Sequence, residues 1–386
     1  MSKSIPTTNI SFSGLRTANN NSCNLDVNAT NIKFSDFSNK ELVSSNTTFV
    51  DKNPSGPPVA RYGHSGVLTD DNRLIICGGE KTSGTSGLLN DTWSYDTSNN
   101  SWTELHSGSG TAPSGRLHHK CVYFDNTMYL FGGTIDNTND DTSDQLWKLD
   151  LSSTPYTWSA ITPTGSKPGK RARHILEIEG NQIYLFGGSA PYPSPTTTYD
   201  DLWRFNTSSL EWDQLSTPTG KKRYAHSSLL TADNIYIFGG YDGSNYLNDI
   251  MKYNITLDTW DTSFYSGGTP GTSVPPKLQY SSFDVLTDHC FFIFGGLDGS
   301  GSVIKDTWEF NTQTKTWKKI STTNSPNLFN HVMAIDVVDH QAKMVVFGGT
   351  GTIISYLNKT YSYTLADVFG SSNPLKISDL KGKEFY

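Results

Sequence analysis

The chain has 386 residues, with Lys+Arg 30 against Asp+Glu 37 and a formal net charge of -7. So mild an acidity gives no whole-surface footprint for nucleic acid or an anionic membrane, and no apolar run is long enough to span a bilayer. Only 35% of residues are hydrophobic, yet 12% are aromatic and 34 are glycine, which suits many short strands and tight turns better than a helical bundle.

Residues 1–45 are rich in Asn, Ser and Thr, and a polar, partly disordered arm is expected there. The first ten residues lack the apolar core of a secretory signal. The four cysteines, Cys23, Cys77, Cys121 and Cys290, are scattered without a Cys-x-x-Cys. The expectation is therefore a reduced, cytoplasmic setting with no structural zinc, no other cofactor and no membrane insertion.

From residue 46 a repeat takes over. An apolar run stopped by two glycines recurs six times, at Gly78-Gly79, Gly132-Gly133, Gly187-Gly188, Gly239-Gly240, Gly295-Gly296 and Gly348-Gly349. Successive first glycines are 54, 55, 52, 56 and 53 residues apart, a period that signals a repeat architecture. In the fourth unit a first strand follows Arg223-Tyr224-Ala225-His226, and Thr231 to Asn234 form a hairpin turn. Ile235 to Phe238 make the second strand, which the diglycine ends. A third strand opens at Asp249 and a fourth at Trp260. Four short strands per unit predict one small sheet per repeat. All nine tryptophans keep this register. Trp93, Trp147, Trp203 and Trp308 fall in third strands, and Trp102, Trp158, Trp212, Trp260 and Trp317 start fourth strands. A small sheet cannot cover its own faces, so these rings are expected between adjacent sheets.

A diglycine after an aromatic strand, then Tyr or Phe near Asp or Asn, then Trp, resembles the kelch repeat. The resemblance covers residues 46–365 and implies an all-β fold: a six-bladed kelch β-propeller with four antiparallel strands per blade around a central channel. Residues 366–386 form a C-terminal tail. The sixth unit lacks a tryptophan in its fourth strand. Two segments can complete it: the N-terminal Phe49-Val50-Asp51, whose downstream Pro57-Pro58 and Arg61 mimic Trp212 through Arg223, or the C-terminal Phe369, 20 residues after Gly349 as Trp260 is after Gly240. The N-terminal strand is preferred.

Arg-x-x-His precedes four first strands, at Arg61/His64, Arg116/His119, Arg171/His174 and Arg223/His226; the fifth unit offers Lys277/Tyr280 and the sixth Leu328/His331. Strand alternation puts these positions at one mouth of the channel, beside the loops after the diglycines. A ring of guanidinium groups suits recognition of carboxylates or phosphates. The same arginines can instead pair with aspartates that open third strands at that end, at Asp91, Asp201, Asp249 and Asp306. The recurring histidines read as structural. Among the post-diglycine loops, the second is acidic (Asp136, Asp140, Asp141, Asp144), and the third is proline-rich with Tyr192 and Tyr199; recognition often lives on such loops.

No nucleophile elbow, Walker loop or His-Glu-x-x-His is present. The resemblance implies a non-catalytic protein-interaction scaffold. Its expected contacts are Arg61, Arg116, Arg171, Arg223, Lys277, Tyr192 and Tyr199, and its expected partner is a protein, with an acidic segment favoured. The alternatives are a sugar-like enzyme or lectin-like propeller and, because the arm is similar to N-terminal segments of some phage and large-virus structural proteins, a virion component.

Overall fold

The computed structural model describes residues 48–367, apart from 82–86, 137–140, 192–194, 232, 288–289, 321–323, 339–340 and 352–355. The 1–45 arm, Phe369, Tyr192 and Asp140 lie outside these residues. The described residues form six four-stranded antiparallel sheets, or blades, in sequence order. Blade 1 is Ser65–Leu68, Arg73–Glu80, Leu88–Asp96 and Ser101–His106. Blade 2 is Lys120–Phe124, Thr127–Phe131, Leu146–Asp150 and Thr157–Ile161. Blade 3 is Ile175–Glu179, Gln182–Phe186, Leu202–Asn206 and Glu211–Gln214. Blade 4 is Ser227–Leu230, Asn234–Tyr241, Tyr246–Asn254 and Thr259–Tyr265. Blade 5 is Ser282–Thr287, Cys290–Phe294, Thr307–Asn311 and Thr316–Ile320. Blade 6 is Val332–Val338, Gln341–Phe347 and Thr360–Asp367, with Val50–Asp51 as its fourth strand. The first strands neighbour one another in order around the channel, and the sixth touches the first.

The N-terminal strand closes the ring. Val50 pairs with Ser362 and Asp51 with Tyr361. Phe49 is buried, stacked on Tyr363 with ring centroids 4.9 Å apart and packed 5.0 Å from Phe294 of blade 5. That second contact explains why an aromatic belongs there. In the other blades the tryptophan opening the fourth strand packs against the residue before the preceding blade's diglycine. Trp102 meets Phe347 at 4.5 Å, Trp212 meets Phe131 at 5.5 Å, Trp260 meets Phe186 at 5.1 Å and Trp317 meets Phe238 at 5.4 Å. Trp158 shares its cluster with Cys77, which fills the aromatic's place in blade 1. Each aromatic contact adds about 0.5–1.5 kcal/mol beyond the area it buries, and five of the six seams are ring-on-ring.

The diglycines are fixed by crowding from two sides. Gly132 and Gly133 have φ of 69° and 91°. A Cβ on Gly132 would lie 2.7 Å from His174 of the next blade, and one on Gly133 would lie 2.8 Å from His119 of its own. Only glycine fits both the left-handed backbone and the space. In blades 1 and 4 the second strand runs on through the diglycine to Glu80 and Tyr241, with a bulge there, rather than ending at it. The third strands of these two blades accordingly start earlier, at Leu88 and Tyr246.

Candidate functional site

The segment before each first strand builds one end of the channel. Its arginines point inward. Arg61, Arg116, Arg171 and Arg223 are at most 1% exposed. Arg61 donates twice to Asp91, at 2.7 and 2.7 Å, and to the Gly78 carbonyl at 3.0 Å. Arg171 repeats this with Asp201 at 2.6 and 2.9 Å and the Gly187 carbonyl at 3.0 Å. Arg223 does so with Asp249 at 2.9 and 3.0 Å and the Gly239 carbonyl at 3.0 Å. The aspartate also receives the indole N–H of Trp93 or Trp203, at 2.8 and 2.7 Å. Burial pushes the Asp201 carboxyl up, but Arg171 and Trp203 outweigh it and hold it below the usual range. In blade 2 the partner is Gln145, at 3.3 Å. With no carboxylate there, burial pulls the Arg116 guanidinium down to about 10.

These guanidinium groups therefore lock the corner of the second and third strands in blades 1 to 4, and they do not line the mouth. The physical reason is that the Arg side chain turns back beneath its own diglycine. Tyr199 covers this corner in blade 3, with its ring 4.0 Å from the Arg171 guanidinium carbon.

The fifth unit departs from its expected register by one residue. Leu278, not Lys277, holds the arginine's position: its carbonyl faces Gly239 as that of Arg223 faces Gly187. Ser281, not Tyr280, replaces the histidine, packing on Gly296. Leu278 and its counterpart Leu328 in blade 6 are buried, and Lys277 is exposed beside the first of them. Left without an arginine, Asp306 pairs with Lys319 at 2.7 Å.

The histidines stand between blades. His64, His174 and His226 are buried, and burial drives their imidazoles far below the ordinary range, with the nearby arginine adding to the shift. Burial takes His119 and His331 down to about 3. They are neutral packing groups; His64, His174, His226 and His331 are set edge-on to the aromatic before the preceding diglycine, as His174 is to Phe131 at 5.5 Å. Among the described residues no three His, Cys, Asp or Glu side chains converge as a metal set. In the acidic second loop, Asp141 pairs with Lys170 at 2.9 Å and Asp144 with Lys167 at 2.8 Å.

What does line the mouth is the residue just before each histidine or its substitute, which the sequence reading passed over. Gly63, His118, Arg173, Ala225, Tyr280 and Asn330 all have φ between 54° and 63°. The amide of each donates to the carbonyl of its predecessor around the ring. His118 bonds Gly63 at 2.7 Å, while Arg173 to His118, Ala225 to Arg173 and Tyr280 to Ala225 are each 2.9 Å; Asn330 to Tyr280 and Gly63 to Asn330, at 3.2 Å each, complete the circle. Neighbouring backbones about 5 Å apart make a hexagon about 10 Å across, and side chains fill it. His118 of blade 2 stacks on Tyr280 of the opposite blade 5 at 5.4 Å and 23°. The Arg173 guanidinium carbon lies 4.3 Å from the Tyr224 ring centroid, and one of its N–H groups reaches the Tyr280 hydroxyl at 3.5 Å. Around this plug, Tyr62 stacks on Tyr356 at 4.7 Å and donates to Glu80 at 2.6 Å. Tyr241 packs on Tyr246 at 4.8 Å. No helix among the described residues is long and apolar enough to cross a membrane.

The chain matches the KLHDC2/KLHL20/DRC7 Kelch-repeats domain over residues 16–222 and 218–368. It is 34% identical over 212 residues to Kelch domain-containing protein 3 of Bos taurus and of Homo sapiens, covering 53% of this chain and 54% of each relative. It is 25% identical over 303 residues to Kelch domain-containing protein 10 of Bos taurus, covering 72% of this chain and 64% of that protein. The chain thus spans about half the length of the first two relatives. With six blades, the interlocked diglycines and these matches, the chain belongs to the Kelch-repeat propeller family.

Proposed function

We propose that this protein is a non-catalytic interaction scaffold that binds a partner protein at the channel mouth bearing the post-diglycine loops. Kelch-repeat propellers generally mediate protein interactions. The observation that carries the reading is the composition of this mouth. It groups Tyr62, Tyr356, Tyr241 and Tyr246 around Arg173 and Tyr280. Tyrosine and arginine dominate the energetic centres of protein interfaces, because they offer large, rigid contact area with a polar end. The buried Arg61, Arg116, Arg171 and Arg223 serve this surface from below by fixing the blade corners, and Tyr199 and Lys277 lie at its rim. The partner segment is acidic, drawn by the exposed Lys277 at the rim, while Arg173, only 7% exposed, supports the tyrosines from beneath. The His118–Tyr280 stack across the channel weighs against a deep small-molecule pocket at this end.

The test is affinity capture from a cell extract with the wild type, Arg173→Ala and the double variant Tyr62→Ala/Tyr356→Ala, with circular dichroism to establish folding. A protein held by the wild type and lost by both folded variants supports the reading. Equal capture by all three baits moves the site elsewhere, and no specific capture by the wild type sinks the scaffold.

A further inference from the structure

The floor of the mouth offers a partner rings rather than backbone. The belt uses the amide and the carbonyl of Gly63, His118, Arg173, Ala225, Tyr280 and Asn330. The residue before each of these is also engaged. Tyr62 and Glu80 exchange both bonds, at 3.1 and 2.9 Å, and Leu117 and Thr134 do so at 3.1 and 2.8 Å. Ala172 and Ser189 exchange theirs at 2.9 Å, Tyr224 and Tyr241 at 3.0 Å, and Phe329 and Thr350 at 3.1 Å. In blade 5, Gln279 pairs with Leu297. An incoming strand therefore finds no ladder to join among these residues, so recognition by strand addition does not suit this floor. A partner amide buried here without an acceptor would cost free energy.

Above that backbone runs an unbroken chain of planar groups, to which every blade contributes. Tyr356 stacks on Tyr62 at 4.7 Å, Tyr62 meets His118 edge-on at 6.0 Å, and His118 stacks on Tyr280 at 5.4 Å. Arg173 links the Tyr280 hydroxyl, at 3.5 Å, to the ring of Tyr224, at 4.3 Å. Tyr224 then meets Tyr241 at 5.5 Å, and Tyr241 meets Tyr246 at 4.8 Å. Tyr62, Tyr356, Tyr280, Tyr241 and Tyr246 are half-buried, so each ring is held on one side and open on another. The Tyr280 hydroxyl accepts from Arg173, which leaves its own proton for an acceptor on the partner.

We propose that the segment bound here is proline-rich and lies across the tyrosine floor as a polyproline II helix, with its acidic residues toward Lys277. It rests on the mouth being the partner site. Proline has no N–H, so such a segment needs none of the acceptors that the belt has used. Its carbonyls are free of internal hydrogen bonds and can take hydroxyl protons such as that of Tyr280. Its pyrrolidine rings pack on tyrosine faces, the pairing by which aromatic-lined surfaces recognise proline-rich segments. The helix is preformed and the floor is fixed by the belt, so little freedom is lost on either side. The exposed Lys277 at the rim meets the acidic flank.

The experiment is fluorescence anisotropy of the full chain with two dye-labelled peptides of equal length. One is a proline run flanked by glutamates. The other keeps the glutamates and replaces every proline by glycine or serine. Both are titrated with the wild type, Tyr280→Phe and Tyr62→Ala/Tyr356→Ala, with circular dichroism to establish folding. The expected result is that the wild type binds the proline peptide several-fold more tightly than its counterpart. Tyr280→Phe, which keeps the ring and removes only the hydroxyl, should weaken that preference, and the double variant should lose it. Equal binding of the two peptides would show attraction by charge alone and overturn the proposal. So would a proline preference that both folded variants retain, which would place it away from this floor. Absence of binding to the proline peptide, in a protein that still captures a partner through Arg173 and the tyrosines, would overturn this proposal and leave the scaffold reading standing.

Discussion

The amide of Gly63 in blade 1 donates to the carbonyl of Asn330 in blade 6 at 3.2 Å, joining residues that are far apart in sequence and next to each other in the ring. It is one of six equivalent bonds, and it makes the belt continuous across the seam where the chain's first and last repeats meet. The outer end of that seam is held by the two-residue strand at Val50 and Asp51, with Lys359 bridging to Asp51 at 2.8 Å. Closure is therefore double: a backbone belt at the channel and a side-chain knob, Phe49, near the rim. A rigid ring of this kind holds the tyrosines and Arg173 in fixed positions, which lowers the entropy cost of ordering them on binding.

Phe49→Ala tests the outer closure. The ring is 3% exposed and contacts Tyr363 and Phe294, so its removal should cost about 3–5 kcal/mol, as for other buried aromatics. Urea unfolding followed by tryptophan fluorescence should show a lower midpoint. Val50→Ala, at a side chain 47% exposed, should change it little. Equal behaviour of the two variants would mean that the N-terminal strand does not hold the ring.

Gly133→Ala and Gly165→Ala separate crowding from backbone strain. Both glycines have positive φ, 91° and 74°. An added Cβ at Gly133 meets His119 at 2.8 Å and the Leu117 carbonyl at 3.0 Å, whereas at Gly165 nothing lies within 4 Å. Gly165→Ala should therefore cost only the left-handed penalty of about 1–2 kcal/mol. Gly133→Ala should cost clearly more, because the belt and the His119 backbone must shift. Thermal melts of the two variants side by side decide it.

Much of this architecture was legible because its signals are side chains of extreme size. The diglycines and nine tryptophans report packing that tolerates nothing smaller or larger, and Phe49 was readable as the missing tryptophan for the same reason. The fifth unit misled because Lys277-Leu278-Gln279-Tyr280 offers a cation and a ring at nearly the right spacing, while the true anchor is the Leu278 carbonyl. The surplus Asp306, with no arginine to match, was the available hint. The belt was hidden because it is backbone. Its trace in the sequence is faint: Gly63 marks one left-handed position, but His118, Arg173, Ala225, Tyr280 and Asn330 occupy the others. An Arg-x-x-His ring looked like a surface, since nothing in the spacing shows which way a long side chain turns.

Asp201→Asn and Gln145→Ala probe the arginine corners. Asp201→Asn removes the charge that answers Arg171, a guanidinium 1% exposed in its pair. Leaving a buried charge uncompensated should cost about 3–5 kcal/mol. Gln145→Ala removes one neutral 3.3 Å bond to Arg116, worth about 0.5–1.5 kcal/mol. Denaturant midpoints should follow that order, and capture of a partner by the folded fraction should survive both. Loss of partner with unchanged stability in Asp201→Asn would instead place Arg171 at the interface.

Acid should weaken the ring before its carboxylates titrate. His64, His119, His174, His226 and His331 are held neutral by burial, His119 and His331 down to about 3. In the unfolded chain each titrates near about 6.5. Below that pH the unfolded state binds more protons than the folded one, so stability falls as pH falls. For each histidine the limiting slope is about 1.4 kcal/mol per pH unit, and the loss continues until the folded imidazole itself protonates. Between pH 7.5 and 5 the urea midpoint should therefore drop steeply, while between pH 7.5 and 8.5 these residues contribute no change. His331→Gln should lower stability at pH 7.5 yet flatten the acid slope by about one histidine's share, which separates lost packing from lost titration. A midpoint that stayed level from pH 7.5 to 5 would show that these imidazoles take up protons in the folded protein as readily as in the unfolded chain.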